Sequence, residues 1–244
     1  MLFRSGENCP GVFGAAHFIY LGASVVFGFL LIFLLYKFVK DEDKKRLTIR
    51  IIGIVHLLMI LINRFSVTYY KVVIAKAAGE SWLNLLPYTF CGLASLILSL
   101  DAIFGKKDNC ILHFVCYFGL FGGIATLLYP DFLENQEFWD IRSYSGLFHH
   151  NILIYQIIIM YLFGFFKPSL KKWHFYPIGF IIMMFIGLLE LEMLHFNEAM
   201  NIGKPLVSSL PVLTSWYTIF FASCLATFLI ALLFNISSKK KTDI

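Results

Sequence analysis

At 244 residues, 59% hydrophobic and only 14% charged, with a mean hydropathy of +0.77, the chain lies well outside the range of soluble globular domains. Its net charge of +5 suits anionic lipid headgroups, and no basic patch with nucleic-acid spacing is present, so no nucleic-acid partner is expected. The expected fold class is all-α, a polytopic membrane protein with a seven-helix transmembrane bundle forming one domain over 1–244.

Crossing the roughly 30 Å hydrocarbon core takes about 17 to 25 apolar residues. Seven stretches qualify, at about 15–36, 47–67, 86–104, 110–129, 146–166, 177–199 and 212–234. The segment ahead of the first span holds Glu7 and Pro10 and lacks a small-residue cleavage pattern, so the first span is expected to be an anchor. Residues 68–85, interrupted by Lys71, Lys76, Gly79 and Glu80, read as an interfacial loop or short amphipathic helix. Tyr36, Tyr69, Tyr70, Trp82, Tyr129, Trp139, Trp173 and Tyr176 sit at span ends, as interfacial belts do.

Lysine and arginine fall in alternate loops. One set holds Lys37, Lys40, Lys44, Lys45 and Arg46, then Lys106 and Lys107, then Lys167, Lys171 and Lys172, then Lys239, Lys240 and Lys241; the other holds Arg4, Lys71, Lys76, Arg142 and Lys204. Cytoplasmic loops carry the excess of positive charge, which puts the N-terminus outside and the C-terminus in the cytoplasm. The expected location is the cell membrane.

Ionisable groups in hydrocarbon are costly and mark function by default. On this topology the outer ends of the spans gather His17, Asn63, Arg64, Cys91, Asp131, His149, His150, Asn151, Glu190, Glu192, His195, Asn197 and Trp216. The inner half holds Asp101, expected to be solvated beside Lys106 and Lys107, with His113 and Cys116; His56 lies near the middle. The asymmetry predicts a polar cavity open on the outer side.

Cys91 follows Leu86-Pro87-Tyr88-Thr89-Phe90. Pro87 suits the first position of a helix, which would place Cys91 about one turn inside, where the positive end of the dipole favours a thiolate. A thiol nucleophile needs a base in reach, and His149 and His150 lie at the same depth; neighbours on a helix point about 100° apart, so one of the two is expected to face the cavity. Cys110, Cys116 and Cys224 read as small packing residues. With Cys9 they show no CxxC pair, and no disulfide framework is expected. Glu192 and His195 match Glu-x-x-His, a di-iron pattern that needs a second copy the sequence lacks, so no metal or other cofactor is expected. Glu190 or Glu192 is instead expected to offset Arg64.

Several motifs together resemble one family. Phe13-Gly14-Ala15-Ala16-His17, Leu86 to Cys91, Tyr129-Pro130-Asp131, His150, Asn197 through Lys204-Pro205, and Trp216-Tyr217 resemble, in order and spacing, the YwaF-type bacterial membrane proteins. Their eukaryotic relatives are the transmembrane protein 164 acyltransferases, and the androgen-induced integral membrane hydrolases are more distant. Thr89 stands where the family has His, Tyr129 where it has Thr, and His149 and Asn151 flank the family histidine in place of Ser and Gly. The resemblance implies a lipid acyltransferase or hydrolase acting on membrane lipids, phospholipid or another acyl lipid. Cys91 would attack an acyl ester, His150 (or His149) would move protons, and His17, Arg64 and Asn197 would orient a phosphate or the ester carbonyl. Asn63, Glu190, Glu192, His195 and Trp216 complete the expected substrate-binding set. Two other readings stand beside it: a small-solute or ion carrier using Arg64, Glu190, Glu192 and the histidines, and a non-catalytic scaffold. The sequence leaves the oligomeric state open.

Overall fold

A computed structural model describes residues 13–134, 137–196, 199–205 and 210–242. Seven long helices follow one another, α1 (Ala15–Phe38), α2 (Glu42–Tyr69), α3 (Phe90–Phe104), α4 (Leu112–Leu128), α5 (Ile141–Leu162), α6 (Phe175–Leu194) and α7 (Trp216–Thr242), with no strand among the described residues. The expected all-helical architecture is observed.

Capping chemistry explains where the helices depart from the expected spans. Two begin early: α2 after Asp41, whose carboxylate accepts from Asp43 N and Lys44 N at 3.0 Å, and α5 after Asp140, which accepts from Arg142 N at 2.8 Å. By contrast α6 stops at Leu194, short of 199, because His195 turns left-handed at φ 58° and returns its N–H to Glu190 O. Residues 68–85 divide: α2 runs into a π turn at Tyr70–Ile74, and a short 3-10 turn forms at Trp82–Leu85. Among the described residues four helical stretches are long and apolar enough to cross a membrane, Ala15–Phe38, Glu42–Ile74, Leu170–Leu194 and Trp216–Ser237, while α3 and α4 are shorter. At 1.5 Å per residue α3 covers only about 22 Å.

Four helices pack around α5. α1, α2, α3 and α4 all touch it, α2 also packs along α3, α4 along α3 and α6, and α6 along α7. Its interior positions are polar as well as apolar: Arg142, Ser145, His149, His150, Asn151 and Gln156 are all buried. The outer helices are the reverse, with Ile19 72% exposed on α1 and Phe221 69% on α7, as surfaces that meet lipid tails are. A stack of Phe90, Phe118, Phe180 and Tyr176 fills the space between α3, α4 and α6. At Gly53 the backbones of α2 and α3 approach closely: an added Cβ would lie 2.8 Å from Ala102 Cβ and 3.0 Å from Ser99 O.

The lysine-rich end is closed by ion pairs and hydrogen bonds. Glu42 meets Lys45 at 2.7 Å and also Lys107, Asp108 meets His113 Nε2 at 2.6 Å and also Lys172, and Arg46 donates to Gly105 O. Asp101 is buried there rather than solvated, because Asn109 Nδ2 donates to its Oδ1 at 2.7 Å.

Candidate functional site

Cys91 is the second residue of α3. The helix does not begin at Pro87, because Thr89 is its cap: the Thr89 hydroxyl accepts from Gly92 N at 3.2 Å, so Phe90 is the first helical residue. Thr89, where the resembling family has a histidine, thus has a local structural task worth about 1 kcal/mol. The half-buried thiol lies in the first turn, where backbone N–H groups are unpaired and the dipole is positive. It shares a hydrogen bond of 3.5 Å with Thr126 Oγ1 on α4. Gly122, one turn earlier on α4, makes the room: a Cβ there would stand 3.0 Å from the sulfur.

The non-helical stretch ahead of α3 is held from two sides. The Arg64 guanidinium donates to Asn84 O and, at 2.6 Å, to Leu86 O, and it lies 4.5 Å over the Tyr88 ring. Met200 N donates to Tyr88 O at 2.9 Å, and the rings of Tyr88 and Phe196 are 5.2 Å apart. Irregular backbone within a membrane protein survives where such partners satisfy it. Arg64 therefore positions the strap that carries Cys91. Glu190 is buried within electrostatic reach of Arg64 but makes no ion pair with it among the described residues, since the guanidinium is turned to carbonyl oxygens.

On α5 the two adjacent imidazoles diverge. Ser145 is bonded by Asn63 Nδ2 of α2 at 3.0 Å and Gln156 by His56 of α2, so the stripe through Ser145, His149 and Gln156 faces α2. Leu153 and Ile154 meet Gly119 and Gly123 of α4, and His150 stands one turn above them on that side. Gly122 touches the Cys91 sulfur and Gly123 touches Leu153 and Ile154, so one turn of α4 is flanked by Cys91 and by α5. One turn further along lie Thr126 and, across from it, His150. Cys91 and His150 are thus level along the bundle.

Each of these imidazoles has its Nδ1–H committed. His150 donates to Gly146 O at 2.7 Å, His149 to Ser145 O at 3.1 Å, and His56 to Gln156 Oε1 at 2.7 Å. The Nε2 atoms of His150 and His56 are buried without a hydrogen-bond partner among the described residues. The rings of His149 and His150 are 4.0 Å apart, and all three imidazoles lie within electrostatic reach of one another.

The remaining expected site residues divide. His17 is buried with both nitrogens engaged: Phe13 N donates to Nδ1 at 3.2 Å and Nε2 donates to Leu127 O at 2.8 Å, which ties α1 to the end of α4. Asn63 braces α2 to α5 through Arg142 O and Ser145. Glu192, His195 and Trp216 are exposed at the bundle surface. Asn197 and Cys9 lie outside the described residues, as does the side chain of Asp131. Among the described residues no three His, Cys, Asp or Glu side chains are grouped to hold a metal ion. Thr126 and Gln156 escaped sequence reading because neutral side chains in a span carry no charge signal; the glycine spacing of Gly122 and Gly123 beside Thr126 is the trace that could have found the first.

The fold and site define a polytopic helical membrane protein with a thiol and imidazoles enclosed at one end of the bundle. A family model, the TMEM164 family, matches residues 12–236, and the chain belongs to that family. No curated protein and no solved structure matches it.

Proposed function

We propose that this chain is a membrane-embedded lipid acyltransferase or hydrolase of the bacterial YwaF type, working through a covalent thioester on Cys91. The observation that carries the reading is the thiol in the first turn of α3, bonded to Thr126 and level with the open Nε2 of His150. Cys91 sulfur attacks the ester carbonyl of a membrane phospholipid or other acyl lipid, and its proton passes through His150 to the leaving hydroxyl. His150 serves in preference to His149 because it lies on the α4 side of α5, where Thr126 and Cys91 stand. The placement of lysine in alternate loops supports a site end that faces away from the cytoplasm, with the cell membrane as the location.

Lipid mass spectrometry of cells making the native chain, set against cells making Cys91→Ala, tests the reading. An acyl-lipid species that changes with the native chain and returns to background with Cys91→Ala supports it; identical lipid profiles overturn it.

A further inference from the structure

We propose that His56, held by Gln156, receives the acyl acceptor in the second half of the reaction, a role that rests on the thioester reading above. His56 lies mid-helix in α2 and is fully buried. Its tautomer is fixed by a chain of bonds: Gln156 Nε2 donates to Leu98 O at 3.2 Å, which turns Gln156 Oε1 to His56, and an amide oxygen only accepts. The proton is therefore on His56 Nδ1, and Nε2 carries a bare lone pair. His150 reaches the same state independently, with Nδ1–H on Gly146 O.

Two buried acceptors with no partner among the described residues stand within electrostatic reach of each other. A buried imidazole lone pair is satisfied by a group that brings a hydrogen, and these two are fixed as acceptors by the bonds of their Nδ1–H groups. The complement of two imidazole lone pairs is an O–H donor, a water or the hydroxyl of a second lipid. In deacylation the acceptor oxygen attacks the thioester carbonyl, a C–O bond forms and the C–S bond breaks. The acceptor's proton goes to His56 Nε2 and, by way of His150, ends on the released Cys91 sulfur. His150 then serves the thiol and His56 the acceptor.

The test follows the thioester itself. Purified full-length protein in nanodiscs receives phosphatidylcholine with a labelled acyl chain, and the hydroxylamine-labile adduct on Cys91 is followed by intact-protein mass spectrometry. His56→Phe keeps a flat ring without the acceptor nitrogen, and Gln156→Met removes what fixes His56. In both, the adduct should form within about twofold of the native rate and outlive the native adduct about tenfold or more. Decay at the native rate in either folded variant overturns the role of His56, as does slowed formation of the adduct in step with lost thermal stability, which marks packing alone. If His56→Phe does not fold, Gln156→Met decides. Absence of an adduct in the native protein and in both variants overturns the thioester reading, and this proposal with it. Running the native reaction in ¹⁸O-water tells the two acceptors apart: labelled free fatty acid identifies water, and unlabelled acyl lipid identifies a lipid hydroxyl.

Discussion

The two ends of the bundle hold similar residues in opposite conditions. At the lysine-rich end His113 is bonded to the Asp108 carboxylate, which Lys172 also holds, and Glu42 joins Lys45 and Lys107. At the other end the imidazoles of His149 and His150 have neutral oxygen partners, beside a thiol in the first turn of a helix, with His56 deeper in the bundle bonded to Gln156. Charges matched with charges make a clamp at the lysine-rich end. Matched charges occur at the thiol end too, Arg142 with Asp140 at 2.7 Å and Lys71 with Glu80 at 2.8 Å, so what sets it apart is the thiol and the adjacent imidazoles of His149 and His150.

The sharpest way to break this contrast is to remove the reacting groups. His150→Ala should lower acyl turnover by about 10²–10⁴-fold, the usual worth of a general base, while Cys116→Ala and Cys224→Ala leave it nearly unchanged. Turnover measured on purified protein checks this, and equal losses at all of these positions would mean that packing is all that was disturbed.

Next in size is the contact between α2 and α3. Gly53→Val places methyl groups against the Ser99 carbonyl and Ala102, so the helices must separate. A loss of about 1–3 kcal/mol of stability is expected, read as a lower melting temperature in detergent.

Thr89→Ala should cost about 1 kcal/mol through the lost cap, and it should lower turnover as well as stability because the cap sets where Cys91 sits. Thr89→Ser restores both if the hydroxyl is what matters.

The smallest effect belongs to the clamp. Burial pushes the Asp108 carboxyl up, but the hydrogen bonds from Lys172 and His113 outweigh it and hold it below the ordinary carboxylate range. A depressed folded-state value means that the stabilisation is complete above the unfolded value of about 3.9 and fades as pH falls through the lower folded one. Thermal melts from pH 6 down to pH 3 should show the native protein losing more stability than Asp108→Asn over that window. The same slope in both proteins would show that this carboxylate is not part of the clamp.

Much of the fold was legible because hydropathy and lysine placement are summed over whole spans. All seven helices appear, and Cys91, His149 and His150 share one end as their spans required. What was not legible depends on single side chains. The start of α3 moved from Pro87 to Phe90 because Thr89 competes for the cap, and α6 ended early because His195 adopts a left-handed backbone that no composition signals. Arg64 reads as an anion binder from its charge, yet its guanidinium donates to carbonyls on both sides of the boundary drawn between the 68–85 loop or short helix and the third span. Gln156 is neutral and silent in sequence, although it sets the tautomer of His56.

The most direct measurement is the mass of the protein itself after exposure to an acyl phospholipid. The account predicts a hydroxylamine-labile increase of one acyl chain, mapped by peptide sequencing to Cys91 and absent from Cys91→Ala. An adduct on another residue, or none on the native protein while its lipid product still forms, would contradict it.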